Sequence, residues 1–297
     1  MIKNPSLEPD LGTLLVPMVG ALADRGPDSS GIAIYSEKDV FSGALGPIGH
    51  PWKVSLGSDS VVDWESVRAA TELRFASDAS ILPAGMLINL GESEVPDLIG
   101  YLATQWPDVR VLATGQALQV VKDTGRPEAT CERNHVESWS GYLAVAHTRM
   151  ATESAVTALH SHPFVPAPDL CIVHNGSFSN YASVRRRLMS DGIEFDSDND
   201  SEVGARFLAA RLAGGDDLEE ATRWVMKEMD GFFTLVIGSA TGMSVVRDAF
   251  ACKPAVVAET ADYVAVASEY RALAHLPFID SADVFEPQPE EVHTWTR

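Results

Sequence analysis

A series of short β-rich runs in the second half of the chain constrains the fold most. Such runs, separated by turns and rich in β-branched residues, are typical of antiparallel sheets. They cover residues 170–174, 232–238, 243–248, 255–259 and 263–268. The helical segments are grouped before the last four runs and cover about 178–190, 201–213 and 217–229. Because a parallel doubly wound sheet needs alternating strands and helices, this grouping favours an α+β fold of stacked antiparallel sheets, with the last four runs as a meander.

The first 35 residues predict a helix, a loop and a strand. Apolar residues recur with the spacing of an amphipathic helix that buries one face, at Leu11, Leu14, Leu15, Met18 and Leu22. A turn-rich stretch at 24–31 and a β-type run at 32–35 follow. The helix is not interpreted as a signal peptide or a membrane span, because acidic residues precede it and Pro17 and Gly20 interrupt it.

Residues 36–140 are interpreted as an α/β insertion in a single domain that covers residues 1–297. A helix is predicted near 95–106 and a strand at 109–112, whereas residues 118–125 fit a helix or a strand. A last helix is predicted to begin near Glu269.

Composition excludes several classes of function. The 42 acidic and 22 basic residues give a formal net charge of −20, which repels nucleic-acid phosphates and anionic lipids, so we expect neither a nucleic-acid nor a membrane partner. Three cysteines, Cys131, Cys171 and Cys252, form no C-x-x-C pair and indicate reduced thiols in a cytoplasmic protein. With no zinc pattern, no Gly-rich phosphate loop and no flavin signature, we expect no metal and no cofactor.

Polar groups suited to binding a zwitterion stand where predicted strands end or helices begin. Arg149 has a planar fork that fits a carboxylate, and Asp200 can pair with an ammonium group. Asn175 and Gly176 can supply a side-chain and a backbone N–H to one point, which is the composition of an oxyanion hole. Each has a structural alternative: Asn175-Gly176 as a tight turn, Asp200 as a helix N-cap, and Arg149 as half of a surface ion pair.

Taken together and in this order, the motifs resemble those of the class II glutamine amidotransferases. The segments that carry the resemblance are Arg25-Gly26-Pro27-Asp28, His147-Thr148-Arg149-Met150-Ala151-Thr152, His174-Asn175-Gly176 and Asn199-Asp200-Ser201-Glu202. Later matches are Val246-Arg247-Asp248, Lys253-Pro254 and Ala267-Ser268-Glu269. The resemblance covers about residues 10–275 apart from the insertion, and it is closest to stand-alone subunits of the glutamate synthase and N-methylglutamate synthase type.

The resemblance implies a four-layer αββα N-terminal-nucleophile hydrolase fold with a glutamine pocket. In that pocket Arg149 and Asp200 hold the carboxylate and the ammonium group of glutamine, and Thr152 assists. Asn175 and Gly176 stabilise the oxyanion. The implied activity is hydrolysis of glutamine to glutamate and ammonia, with the ammonia passed to a partner synthase subunit.

One feature departs from the family pattern: the nucleophile. Members of the family begin with a cysteine that attacks the carboxamide, whereas this sequence begins Met1-Ile2-Lys3 and has no cysteine before Cys131. Two explanations stay open. Either a short segment with the cysteine and its strand precedes Ile2, or the protein is a non-catalytic pseudo-amidotransferase that binds glutamine or acts as a scaffold. The first is favoured because losing an interior strand would leave ladder groups of its neighbours unpaired.

Overall fold

The computed structural model describes residues 1–37, 52–75, 77–150, 157–159 and 161–297. The chain divides into two compact units. The N-terminal unit consists of Ile2 and Asn4–His162, and the C-terminal unit consists of Met1, Lys3 and Pro163–Arg297. Each unit is described by itself.

Helices and strands of the N-terminal unit follow one another closely along the chain. In order, the described residues form α1 (Leu11–Ala21), β1 (Ser29–Tyr35), β2 (Trp52–Gly57), α2 (Trp64–Phe75), β3 (Asp78–Leu82), β4 (Gly85–Leu90), α3 (Val95–Gln105), β5 (Arg110–Gly115), β6 (Leu118–Thr124), α4 (Pro127–Arg133) and β7 (Leu143–Arg149).

Strand β1 is the middle strand of an antiparallel sheet with the order β6-β1-β7. All seven of its residues are buried, as expected for a strand covered on both faces. The predicted helix and strand at the start of the chain are confirmed as α1 and β1. The stretch that fitted a helix or a strand forms strand β6, Leu118–Thr124. Helix α1 buries Leu11, Leu15 and Val19, which are spaced by four residues along one face.

A second antiparallel sheet of this unit has the order β3-β4-β2-β5. Its strands and the helices α2 and α3 follow the order strand, helix, strand, strand, helix, strand, which is the ferredoxin-like arrangement. Apolar side chains from the sheet and both helices form one core, including Leu56, Ile88, Val67 and Leu98. The sequence predictions of α3 and β5 are confirmed. The insertion boundaries of 36–140 stay a prediction, and β6, inside that range, pairs with β1.

The C-terminal unit contains three helices in succession between two groups of strands. In order, its elements are β8 (Phe164–Ala167), β9 (Leu170–Phe178), α5 (Tyr181–Ser190), α6 (Asp200–Ala213), α7 (Leu218–Glu228), β10 (Gly231–Ser239), β11 (Gly242–Arg247), β12 (Val256–Glu259), β13 (Val264–Ala267), β14 (Asp283–Phe285) and β15 (Val292–Thr296).

Two antiparallel sheets form in the C-terminal unit, with the orders β15-β11-β10-β9-β8 and β13-β12-β14. The four predicted strands between 232 and 268 are confirmed, but the prediction that they form one meander is wrong, because β12 and β13 belong to the second sheet. The carboxylate of buried Asp248 accepts the N–H groups of Phe233 and Phe250. These bonds hold the chain in a turn directly after β11.

The predicted helix near Glu269 is also wrong. Only a short 3-10 turn forms there, at Tyr270–Ala272, and strands β14 and β15 follow that the sequence did not indicate. Pro277 supplies no N–H, and its carbonyl accepts the hydroxyl of Tyr263. Phe278 then has a left-handed backbone with φ 61°, so a helix cannot continue through this point.

The predicted α+β fold of antiparallel sheets, as in N-terminal-nucleophile hydrolases, is confirmed. One core of the C-terminal unit packs helices α5, α6 and α7 against the five-stranded sheet, with Phe178, Leu208, Val225 and Leu235 among its members. Among the residues that the structure describes, no helix has both the length and the apolar character needed to cross a bilayer.

Candidate functional site

The Asn175-Gly176 pair lies inside strand β9. The sequence suggested that the strand ends before this pair, but β9 continues to Phe178, and Asn175 and Gly176 are paired with Thr234 and Phe233 of β10. The tight-turn alternative is therefore wrong. Gly176 has φ 148°, and a Cβ atom there would lie 2.0 Å from the carbonyl oxygen of Phe232, so only glycine fits.

Asp200 is the first residue of α6 and is not its N-cap. The N-cap is Asn199, whose side chain accepts the N–H of Ser201 at 2.9 Å. The half-buried Asp200 carboxylate is instead turned toward β9, where its Oδ2 atom accepts the N–H of Phe178 at 2.8 Å. This bond places the carboxylate beside the strand segment that carries Asn175 and Gly176.

His174 and Ser201 complete a polar cluster around Asp200. The His174 Nδ1 atom lies 2.8 Å from the Ser201 hydroxyl, which in turn donates to Asp200 Oδ1 at 3.3 Å. Burial, and to a lesser degree the positive charge of Lys253, lowers the pKa of His174 to about 4, against the opposing effect of Asp200. The imidazole is therefore neutral at physiological pH. His174 and Ser201 both stand inside the matching motifs, but residue type alone predicts no role for either.

The segment after β11 contacts strand β10 through Lys253. The Thr234 hydroxyl, opposite Asn175 in the sheet register, donates to the Lys253 carbonyl at 2.8 Å. The Lys253 ammonium lies 5.3 Å from the ring centroid of Phe232, within the range of a cation–π contact. The loop that carries Lys253 is thus attached to the strand that pairs with the Asn175-Gly176 segment. The sequence marked Asp248 and Lys253 only as motif matches.

Arg149 is the last residue of β7, in the N-terminal unit. It is half-buried and pairs with Ser29 of β1, and its carbonyl accepts the N–H of Asp28 at 3.0 Å. A Cβ atom at Gly26 would lie 2.3 Å from the Thr148 carbonyl carbon, so the two motifs around Gly26 and Arg149 are in close backbone contact. Thr152, the other residue predicted to bind glutamine, lies outside the described residues.

The three cysteines differ in burial. Burial raises the pKa of the Cys131 thiol to about 11, so it is protonated at neutral pH. Cys171 is fully buried within β9, and Cys252 is exposed between β11 and β12.

Two solved enzyme structures have a similar fold. The glutamine phosphoribosylpyrophosphate amidotransferase from B. subtilis has a TM-score of 0.59 and 15% identity, with 97% of this chain and 47% of that chain covered. The allosteric regulatory enzyme of purine biosynthesis gives 0.60 and 16% with the same coverage. This chain thus spans about half the length of those enzymes, and at such identity the likeness establishes the fold alone.

Sequence relatives establish the family. A model of the glutamine amidotransferase domain matches residues 147–275. The glutamine amidotransferase-like protein GlxB of Rhizobium meliloti is 42% identical over 99% of this chain and 95% of its own length. A putative glutamine amidotransferase of Methanothermobacter thermautotrophicus is 30% identical over 96% of this chain and 94% of its own. The chain belongs to the glutamine amidotransferase family.

Proposed function

We propose that this protein is a glutaminase subunit that converts L-glutamine and water to L-glutamate and ammonia. Family membership supports the substrate, and the observation that carries the proposal is the Asp200 carboxylate, held by Phe178 N–H next to Asn175 and Gly176. A fixed carboxylate near the side-chain amide of Asn175 and the backbone N–H of Gly176 suits a ligand that has an ammonium group and a carboxamide.

Each predicted residue has one role in this proposal. Asp200 binds the α-ammonium group, and Arg149 binds the α-carboxylate through its guanidinium fork. Thr152 assists in binding. The side-chain amide of Asn175 and the N–H of Gly176 stabilise the negative oxygen that develops on the carboxamide carbon. Gly176 adopts a φ of 148°, which residues with a side chain rarely adopt, so the backbone at the predicted oxyanion donor requires glycine.

This chemistry requires a cysteine nucleophile, and the sequence has no cysteine before Cys131. In the proposed reaction the thiolate of the nucleophile adds to the carboxamide carbon, and the resulting tetrahedral oxyanion collapses with departure of ammonia, which takes up a proton. Water then hydrolyses the thioester, releasing glutamate and the thiol. In this proposal the described residues supply binding and oxyanion stabilisation, and a cysteine supplies the nucleophile.

Ammonia formed in this way needs an acceptor. We propose a partner synthase of the glutamate synthase-like type in nitrogen metabolism, located in the cytoplasm. The relatives of similar length support a separate subunit, since GlxB is matched over 95% of its length. By contrast, the glutamine–fructose-6-phosphate aminotransferase of Chlamydia caviae is matched, at 37% identity, over only 20% of its length.

A second candidate is a non-catalytic subunit that binds glutamine or scaffolds a synthase. The Asp200 cluster supports it equally, because ligand binding needs no nucleophile. It predicts glutamine binding without release of ammonia, even beside the partner. The two candidates therefore differ in turnover and agree on the binding site.

Calorimetric titration of the chain with L-glutamine tests the site that both candidates share. Asp200→Asn and Arg149→Ala should each weaken binding at least about tenfold, because each removes a charged partner of the ligand. Asp198→Asn and Arg223→Ala are matched controls, since both residues form exposed ion pairs, with Arg185 and Glu219. Unchanged affinity in Asp200→Asn and Arg149→Ala would show that the assigned residues do not bind glutamine.

A further inference from the structure

We propose that His174 and Ser201 are positioning residues that orient the Asp200 carboxylate toward the α-ammonium group of the ligand. This inference rests on the proposed function. It assigns a role to two buried residues that do not touch the ligand and act through Asp200.

Both oxygens of the Asp200 carboxylate are held from the protein side. Oδ2 accepts the Phe178 N–H at 2.8 Å, and Oδ1 accepts the Ser201 hydroxyl at 3.3 Å. One donor on each oxygen fixes the plane of the carboxylate and leaves lone pairs on both oxygens for a cation, because an ionised carboxylate accepts about four hydrogen bonds.

The direction of the hydrogen bonds follows from counting protons. Ser201 has one hydroxyl proton, and it is used toward Asp200. The 2.8 Å contact between Ser201 Oγ and His174 Nδ1 then requires that Nδ1 carries a proton and donates it. The three residues form a hydrogen-bond series in which His174 Nδ1–H donates to Ser201, and Ser201 O–H donates to Asp200. It specifies the Nδ1–H tautomer of a neutral imidazole.

Packing keeps this series of hydrogen bonds rigid. The His174 ring stacks on the Phe178 ring with centroids 4.1 Å apart, and each of the two residues is less than 5% exposed. Ser201 is also buried, at 4% exposure. Phe178 thus contributes its N–H to Asp200 and its ring to His174. Strand β9 carries His174, Phe178 and, between them, the Asn175-Gly176 pair. The hydrogen-bond series therefore connects the proposed ammonium-binding carboxylate of Asp200 to the strand that carries the proposed oxyanion donors.

The test compares two ligands that differ only in the α-ammonium group. L-glutamine carries it, whereas glutaramate, the 4-carbamoylbutanoate ion, lacks it. Ser201→Ala should weaken binding of L-glutamine about tenfold, as expected for loss of a hydrogen bond to a charged group, and leave glutaramate binding unchanged. Ser201→Thr keeps the hydroxyl and should restore the affinity for L-glutamine. In an Asp200→Asn background, Ser201→Ala should have no further effect.

A buried hydroxyl with no link to Asp200 provides the control. Thr222 on α7 is fully buried, and its hydroxyl donates to the Leu218 carbonyl at 2.7 Å. Thr222→Val should change the affinity for both ligands equally or not at all. If Ser201→Ala lowers the affinity for both ligands equally, or lowers neither affinity, the positioning role is overturned while the proposed function stands. If the unsubstituted chain binds no L-glutamine, the proposed function fails as well.

A measurement without substitution of Ser201 keeps the proposal testable if Ser201→Ala does not fold. The ¹⁵N chemical shifts of the His174 ring in labelled protein distinguish its two neutral tautomers. The hydrogen-bond series from His174 to Asp200 predicts a protonated Nδ1 atom. A protonated Nε2 with a bare Nδ1 would reverse the bond to Ser201 and overturn the proposal.

Discussion

Gly176 is the residue whose replacement the structure restricts most clearly at the site. In Gly176→Ala the new Cβ would lie 2.0 Å from the Phe232 carbonyl oxygen and 2.6 Å from Phe233 Cα, so β9 and β10 would have to separate. We expect a loss of about 3 kcal/mol in the free energy of unfolding, from overpacking and the unfavourable φ together. Chemical denaturation measures it.

The control for this substitution is Gly100→Ala. Gly100 lies in α3 with nothing within 4 Å of the position of a Cβ, so alanine should stabilise the helix by up to about 1 kcal/mol. A neutral effect of Gly176→Ala would show that the backbone between β9 and β10 can relax, and would remove the argument that the site requires glycine.

His174 predicts the acid dependence of stability. Its pKa is about 4 in the folded protein because of burial, below the value near 6.5 of an unfolded chain. As pH falls from about 6.5 to 4, the unfolded state takes up a proton that the folded state does not, so the free energy of unfolding falls. The decrease from this residue is on the order of 3 kcal/mol across that window.

His174→Gln should flatten this part of the pH profile, measured by denaturation between pH 4 and pH 7. His275→Gln, at an exposed histidine of the same unit, serves as control and should leave the profile unchanged. An equally steep profile in both variants and the unsubstituted chain would mean that other groups cause the acid sensitivity.

At the scale of single residues, sequence motifs predict the members of the candidate site but not its hydrogen bonds. Asp200 and the Asn175-Gly176 pair are predicted because their residue types suit a zwitterion and an oxyanion. The contact between His174 and Ser201 joins residues 27 positions apart, and it depends on how α6 packs against β9. The same packing explains why Asn199, and not Asp200, caps α6: Asp200 is directed to Phe178 instead.

At the scale of elements, a loop of the ferredoxin-like part holds the chain that follows β7. Asp59, between β2 and α2, accepts the N–H groups of Ala158 and Leu159 at 2.8 and 3.3 Å. The buried Lys122 of β6, whose pKa burial lowers to about 8, donates to the Leu159 carbonyl at 3.4 Å. Leu159 is therefore held through its N–H and its carbonyl.

Asp59→Ala should release the two amides. We expect their hydrogen exchange to become about fivefold to tenfold faster, as for loss of about 1 kcal/mol of hydrogen bonding. Asp63→Ala is the matched control, because Asp63 accepts from Ser66 at the start of α2 and has no bond to residues 157–159 among the described contacts. Exchange at Ala158 and Leu159 that is equal in both variants would contradict the anchoring role of Asp59.

Elements with regular apolar periodicity were predictable, and elements determined by tertiary pairing were not. Helix α1 and strands β1, β10 and β11 follow from local patterns. The short strands β14 and β15 carry weak patterns, since polar residues and prolines surround them and their pairing with β12 and β11 supplies the order. The division of the last strands into two sheets is set by tertiary pairing, because β11 pairs with β10 and β15 whereas β12 pairs with β13 and β14.

At the scale of the whole molecule, family membership and the Asp200 cluster support one account: a chain built to hold glutamine and, with a cysteine, to release its amide nitrogen. The proposal of a glutaminase and the proposal of a non-catalytic binder share the binding residues. They differ in whether the mature protein in its own cell carries the nucleophile. Turnover by that protein is therefore the discriminating property.

The most direct measurement is ammonia release by the protein purified from its native cell together with whatever subunit accompanies it. With L-glutamine labelled with ¹⁵N at the amide, the account predicts labelled ammonia or a labelled product of the partner, and one glutamate formed for each glutamine consumed. Asp200→Asn in the native chromosome should abolish most of this turnover. Glutamine that binds to the complex but is recovered with its amide intact would contradict the account and identify a non-catalytic subunit.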